Sequence, residues 1–330
     1  MNNKGSKTKV GQDKSELVAK LPMACADERS AIEFFEKQRW GDTPCCPECG
    51  DTDVYQMKDR DGNRQKNCRW RCRGCGKQYT WRTGTVMEDS RIPAHNWAYG
   101  FWRAATSKKG VSALEIKRHT GLSYKSALFL MHRIRFAMAP TDGGPKLTGT
   151  VEADETFVGG KPRKRTPQKP FGKPGQEPSN AQTMKDRKTP VFGVVSRETG
   201  EVRARVLPDV KAHNLKAACD ELIDKSAKLM TDEAMAYRTI GKAYAGHETV
   251  THGRGEYVRG DVTTNTIEGF WSLLKRGVYG TFHNVSRAHL QRYVDELEFR
   301  YNHRKLEDGQ RTLAAIAGGE GKRLMYCDPI

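Results

Sequence analysis

The chain has 330 residues, 36% hydrophobic and 29% charged, which is enough to bury a sizeable core and long enough for more than one domain. Its formal net charge of +17 points to a polyanionic partner, with nucleic acid the usual one. No run of about 18 apolar residues occurs, which excludes a membrane-spanning helix, and the polar start MNNKGSKTKVGQDKSELV lacks the apolar core of a signal peptide, so a cytoplasmic, reducing location is expected.

Residues 1–25 read as a disordered basic tail with few apolar side chains. The stretch DERSAIEFFEKQR, 27–39, reads as a short amphipathic helix with Ile32, Phe34 and Phe35 on its apolar side. Two cysteine knuckles follow, Cys46-Pro-Glu-Cys49-Gly and Cys72-Arg-Gly-Cys75-Gly, separated by 22 residues. In a reducing setting nine cysteines suggest metal rather than a disulfide framework. Four thiolates in two CxxC turns can close a tetrahedral zinc site. The glycine behind each knuckle permits a positive φ that turns backbone N–H groups toward sulfur. Cys45 and Cys68 are spare thiols; Cys45 could replace Cys46, and the CPxCG pattern favours Cys46. The helix and ribbon together are expected to span 26–92.

Residues 93–107 open with Pro93 and read as a helix carrying Trp97, Phe101 and Trp102. In Gly110–Met138, Ala113, Ile116 and Leu122 form one apolar face, Gly121 marks a turn and Ser123 can cap the next helix. Ala127, Leu130, Met131 and Ile134 then repeat at helical spacing. Residues 93–140 therefore carry a helix-turn-helix pattern whose recognition helix begins at Ser123, Tyr124 and Lys125, the expected DNA contacts. The alternative is an ordinary helical hairpin.

TDGGP, 141–145, is a linker, and a mixed α/β domain is expected over 148–315, with 316–330 as a tail. Thr148–Val158 reads as a strand. The stretch 159–190 is a long loop rich in Pro and Gly, with nine Lys/Arg against two acids. A hairpin turns at Glu198-Thr199-Gly200, Ala212–Ser226 is a helix, Lys228–Thr231 a short strand, 234–244 and 288–300 helices. The order β-(loop)-ββ-α-β-α-(β)-α describes a mixed sheet with helices.

Three carboxylates stand at element boundaries of this domain: Asp154 in the first strand, Asp232 after the last clear strand, and Glu268 on the helix of TNTIEGFWSLLK. In a mixed sheet the first and later strands can be neighbours, so these groups can converge. Gathered carboxylates suit Mg²⁺ or Mn²⁺, and two such ions roughly 4 Å apart can serve both sides of an in-line phosphoryl displacement. Lys275 lies about two turns after Glu268 on nearly the same helix face. Each acid has a plainer alternative. Asp154 could be a solvated strand residue, with Glu152 on its face and Glu155 pointing away. Asp232 could cap the following helix, and Glu268 could close a capping box with Asn265.

Read together, CPECG, CRGCGKQYTWRTGT, VEADETFVGGK, LMTDEAMAYRTIG, HGRGEYVRG and TNTIEGFWSLLKRGVYGTFHNVS followed by ELEFRYNHR resemble the DDE-type insertion-sequence transposases with an ISXO-like domain behind a zinc ribbon. The resemblance spans about 30–315. It implies an RNase H-like catalytic domain, with Asp154, Asp232 and Glu268 as the acidic triad, Lys275 as the basic residue after the glutamate, and Asn265 left as helix cap. It also implies two catalytic Mg²⁺ or Mn²⁺ ions, structural zinc on Cys46, Cys49, Cys72 and Cys75, and a homo-oligomer on DNA. Terminal-repeat binding, strand cleavage and strand transfer would be its activity. Arg163, Lys164 and Arg165 of the basic loop, with Lys275 and Arg276, are further expected DNA contacts. The rival is a non-catalytic DNA-binding regulator built on the ribbon and the helix-turn-helix.

Overall fold

The computed structural model describes residues 14–141, 144–159, 188–250 and 258–325. Arg163, Lys164, Arg165 and most of the expected basic loop lie outside these residues. The described chain forms two compact units. One runs to Ala139 and resumes at His303; the other spans Pro140 to Asn302.

In the first unit the expected basic tail is helical from Lys14 onward, as α1 (Lys14–Ala19) and α2 (Leu21–Ala26). The reason is a small apolar stripe: Leu21 and Ala24 are buried, and α2 packs on its neighbours. Asp27 caps α3 (Glu28–Trp40), its carboxylate accepting the Ser30 N–H at 2.7 Å. Phe34 and Phe35 are buried, and Phe35 stacks on Trp81 at 4.7 Å. A three-stranded antiparallel sheet follows, β1 (Val54–Gln56), β2 (Trp70–Cys72) and β3 (Gln78–Tyr79). Helices α4 (Ala94–Thr106), α5 (Ala113–Thr120) and α6 (Tyr124–Met138) complete this run. Gly121 ends α5 in the left-handed region at φ +70°, and the Ser123 hydroxyl caps α6 by accepting the Ser126 N–H at 3.1 Å.

The second unit is a five-stranded sheet between two helical layers. Its strands are β4 (Thr150–Val158), β5 (Thr189–Ser196), β6 (Val202–Val206), β7 (Lys228–Thr231) and β8 (Gly246–Thr249), in the order β6-β5-β4-β7-β8. β4 pairs with β7, and β7 with β8, in parallel; β5 is antiparallel to both of its neighbours, β4 and β6, so it alone runs the other way. Helices α7 (Ala212–Leu222) and α8 (Met235–Ile240) cover one face, burying Val151, Ala153, Phe192, Leu215, Leu229 and Tyr237. A small hairpin, β9 (Val258–Arg259) with β10 (Val262–Thr263), precedes α9 (Asn265–Gly277). α9 and α10 (Leu290–Asn302) cover the other face over Val191, Val195, Ile267, Phe270, Leu274 and Val294. β5 is buried along its whole length, as a central strand covered on both faces must be.

The edge strand β6 is closed by side chains of α10 rather than by another strand. Val202 N–H donates to Asn302 Oδ1 at 2.8 Å, Ala204 N–H to Glu298 Oε2 at 2.8 Å, and Val206 N–H to Gln291 Oε1 at 2.7 Å. Asn302 and Gln291 return their amide N–H groups to the carbonyls of Val202 and Ala204. Residues 291, 298 and 302 lie on one helix face, so the helix satisfies every second residue of the strand and removes an open edge.

After Asn302 the chain rejoins the first unit. α11 (Asp308–Ala317) packs on α4 and α6 with Thr312, Leu313, Ala315 and Ile316 buried. The boundary expected at 315 therefore falls at 302, and the expected C-terminal tail is structured up to Met325. The Lys322 ammonium fixes that segment by donating to the last carbonyls of α6, including Ala139 O at 2.6 Å.

Burial pushes the Glu298 carboxyl up to about 8, against the pull of the Ala204 N–H. A carboxyl raised on folding binds more protons folded than unfolded, so stability falls as pH rises from its unfolded value near 4.5 through 8. Denaturant unfolding at pH 5.5 and 8.5 should show that loss, and Glu298→Gln, which keeps the acceptor and removes the titration, should reduce it.

Candidate functional site

Two groups of side chains with potential metal donors stand out, one in each unit. In the first, the sulfurs of Cys46, Cys49, Cys72 and Cys75 all lie within 4.8 Å of one another, with Cys46–Cys75 at 3.7 Å and Cys49–Cys72 at 3.6 Å. A tetrahedron of Zn–S bonds of about 2.3 Å has S···S edges of about 3.8 Å, so these thiols fit a zinc ion. Gly50 and Gly76 adopt φ +77° and +71°, as each knuckle requires. Cys45 is outside the cluster, and Cys68 is buried with its thiol toward Lys66 O at 3.7 Å. The thiol set therefore contains Cys46 and not Cys45.

In the second unit Asp154, Glu155, Asp232, Glu268, Trp271, Lys275 and Arg276 line one cleft of about 470 Å³. Sheet pairing creates it. Glu152 of β4 stands opposite Met230 of the parallel β7. Two residues further along, the same register sets Asp154 beside Asp232. α9 crosses that end of the sheet and delivers Glu268, with Lys275 two turns on along the same cleft. The three carboxylates supply hard oxygen donors of the type that divalent Mg²⁺ or Mn²⁺ prefers. They share the cleft without being drawn together as closely as the thiols.

Each acid is held differently. The Trp271 indole donates to Asp154 Oδ2 at 2.9 Å. Burial pushes the Asp154 carboxyl up to about 6; the indole opposes that, and the charges of Asp232 and Glu268 add to it. Asp232 Oδ1 accepts the Ala234 N–H at 3.0 Å in a turn ahead of α8, whose start has no side-chain cap, and the residue lines the cleft. Glu268 Oε1 accepts the Thr264 hydroxyl at 3.3 Å.

Asn265 does not cap α9. It is the first helical residue, exposed, and its own N–H donates to Thr263 Oγ1 at 3.1 Å. The cap comes from the sheet. The fully buried Glu152 carboxylate accepts the N–H of Thr266 at 2.9 Å and of Ile267 at 3.1 Å through Oε2. Its Oε1 accepts the Thr266 hydroxyl at 2.9 Å and the Arg197 Nε–H at 2.7 Å. Arg197 also donates to Thr263 O at 2.9 Å. Sequence reasoning placed Glu152 on the face of Asp154 but saw no partner for it, because the partner is a helix start more than a hundred residues away.

Glu155 departs from the sequence reading in a second way. It points to the opposite face from Asp154, as strand alternation requires, yet still lines the cleft. The Tyr237 hydroxyl donates to it, and burial pushes its carboxyl up to about 7. Gly193, paired with Asp154 across β4 and β5, makes room for the indole: a Cβ there would meet Trp271 at 2.4 Å. Tyr124 and Lys125 are exposed at the start of α6, while the Ser123 hydroxyl is occupied as a cap.

A mixed α/β sheet domain with an acid-lined cleft, in a chain that also carries a four-thiol ribbon, matches two family models. Residues 146–302 match the ISXO2-like transposase domain, and residues 26–78 match the transposase zinc-ribbon domain. Over these two stretches the chain is similar to the insertion-sequence transposases that carry these domains. It is 29% identical over 278 residues to an uncharacterized protein in transposable element ISH50 of Halobacterium salinarum, covering 83% of this chain and 90% of that one. Among solved structures, a cryo-EM structure of the simian T-cell lymphotropic virus intasome in complex with PP2A regulatory subunit B56 gamma aligns at 14% identity. That alignment covers 56% of this chain and 63% of the other, under two thirds of its length, and its TM-score of 0.27 carries no argument.

Elemental analysis of the purified chain should find one zinc, lost in Cys49→Ser; a zinc-free wild type would remove the ribbon assignment. Glu152→Ala leaves two helix N–H groups and the Arg197 guanidinium without their buried acceptor. It should cost roughly 3–5 kcal/mol of stability in denaturant titration, with Glu152→Gln recovering part of the loss.

Proposed function

We propose that this chain is the metal-dependent polynucleotidyl transferase of its insertion sequence, a cytoplasmic DNA-associated enzyme that binds the element's terminal inverted repeats, cuts DNA at them and joins the freed ends to target DNA. The observation that carries this reading is the meeting of Asp154, Asp232 and Glu268, from two parallel strands and a helix, in one cleft with Lys275 and Arg276. The five-stranded order, with helices on both faces, fits an RNase H-like domain.

Asp154, Asp232 and Glu268 would hold magnesium or manganese, which when bound supplies charge for an attacking water or 3′-hydroxyl and for the departing oxygen of an in-line displacement. The protein's own groups do the rest. The Trp271 indole holds the Asp154 carboxylate through Oδ2. Lys275 and Arg276 give phosphate-binding charge on the same side as Glu268. No nucleophilic side chain is required, because the attacking group arrives with water or DNA. The α5–α6 pair acts as the helix-turn-helix, with Tyr124 and Lys125 toward DNA and Ser123 fixing the helix start. The four thiols hold zinc as a structural pin.

The direct test is incubation with labelled element ends and Mg²⁺, scoring end cleavage and end joining. Wild type should do both. Asp154→Asn should lose both reactions and still bind the ends; retained cleavage would remove Asp154 from the site. Glu268→Ala should be inactive, whereas Asn265→Ala, an exposed position outside the cleft lining, should keep most of its activity. Binding of the ends without cleavage by wild type would instead favour a non-catalytic regulator.

A further inference from the structure

The two faces of the ribbon sheet differ sharply. One is closed: Trp70, Cys72 and Tyr79 are buried, and Trp40 packs edge-on against Trp70 and Tyr79 at 5.8 and 5.7 Å. The other is open and carries arginine at every alternate position of the central strand. Arg69, Arg71 and Arg73 are all exposed, while Trp70 and Cys72 between them are buried. The pairing extends beyond the formal strand, since Met57 N–H donates to Arg69 O at 2.9 Å and Arg73 N–H to Asp53 O at 3.0 Å. The three arginines are therefore held on one face by the ladder itself.

Their surroundings define what they can bind. Arg73 lies over the Tyr55 ring at 5.2 Å, and its ion pair with Asp53 at 3.4 Å joins side chains 65% and 68% exposed. Such an open pair is worth about 1 kcal/mol or less and is exchangeable. Arg69 donates to Gln78 Oε1 at 3.4 Å. Arg71 sits in the middle of a cross-strand row, opposite Tyr55 and Gln78, and its guanidinium makes no hydrogen bond or ion pair among the described residues. At about 3.3 Å per strand residue the three groups span roughly 13 Å. DNA carries closely spaced phosphates along each strand, so a row of this length can meet more than one of them.

We propose that this open face is a phosphate rail for duplex DNA, with Arg71 at its centre and Arg69 and Arg73 on either side. The proposal rests on the transposase reading for its partner. A guanidinium fork pairs bidentately with phosphate. Base reading is a poor fit here: Gln78, the amide on this face, already has its carbonyl engaged by Arg69. The rail therefore positions the ribbon on DNA and carries no sequence preference. Its rigidity comes from the aromatic and thiol side behind it, which fixes the strand whose outer face bears the arginines.

The test is equilibrium binding of the full chain, in zinc-containing and magnesium-free buffer, to two fluorescent duplexes: the element end and a scrambled sequence of equal length. Salt is varied over a series. Arg71→Ala should weaken binding to both duplexes equally, about tenfold, and reduce the slope of log affinity against log salt by about one. Arg69→Ala should act the same way, and Lys216→Ala, in an exposed pair elsewhere, should change nothing. Zinc content and melting temperature are measured for each variant, so a loss through unfolding is recognised and Arg71→Gln serves as the second probe. Wild-type affinity and slope in folded Arg71 variants would overturn the rail and leave the transposase reading intact. A loss confined to the element end would overturn it in favour of base reading. A wild type that binds neither duplex would overturn the transposase reading itself.

Discussion

One buried carboxylate joins the two halves of the cleft. Glu152 lies on the central strand two residues before Asp154 and accepts the first N–H groups of the helix that carries Glu268. A helix start has N–H groups without intrahelical partners, and a negative charge placed there is favourable twice over, through the hydrogen bonds and through the helix dipole. Because the cap belongs to the sheet and not to the helix, it fixes where α9 sits. Arg197 completes the joint, balancing the charge and tying down the Thr263 carbonyl just before the helix. The spacing of Asp154 and Glu268 is thus set by a contact from outside the cleft lining.

The rest of the second unit keeps that joint rigid. Parallel pairing of β4 with β7 sets the separation of Asp154 and Asp232 to that of neighbouring strands. Gly193 lets α9 approach closely enough for the Trp271 indole to reach Asp154. On the far side, α10 closes the edge strand with Gln291, Glu298 and Asn302, so the sheet ends on a helix and not on an open ladder. A core covered on both faces tolerates little slip, since moving one strand by a residue would exchange its faces.

The two metal-type sites differ in a way their donors explain. The thiols are gathered near the edges of a tetrahedron, in knuckles whose glycines permit the turn, which is the closed arrangement of a structural ion. The carboxylates line an open cleft beside two cations, which leaves room for a phosphate-bearing substrate. Burial at Asp154 and Glu155 raises both carboxyls, as expected where charge is concentrated with little solvent.

Much of this was legible in the sequence, because the signals were local. The knuckle spacing, the glycines behind the cysteines and Ser123 before α6 each depend on residues a few positions apart. Asp154, Asp232, Glu268 and Lys275, which line the cleft, were singled out by the resemblance of several motifs taken together, since each acid alone had a plainer reading. Long-range contacts were not legible. Sequence placed Asn265 as the cap of α9, but the cap is Glu152. It left 14–25 as a tail, although Leu21 and Ala24 have a neighbouring helix to pack on, and ended the mixed α/β unit at 315, although α11 packs on α4 and α6. Local propensity and spacing thus determined which elements form and which residues were candidates for the site. Only the tertiary structure decided what caps, covers and aligns them, because a buried hydrogen bond or apolar face takes whatever partner the fold brings near, whatever its distance along the chain.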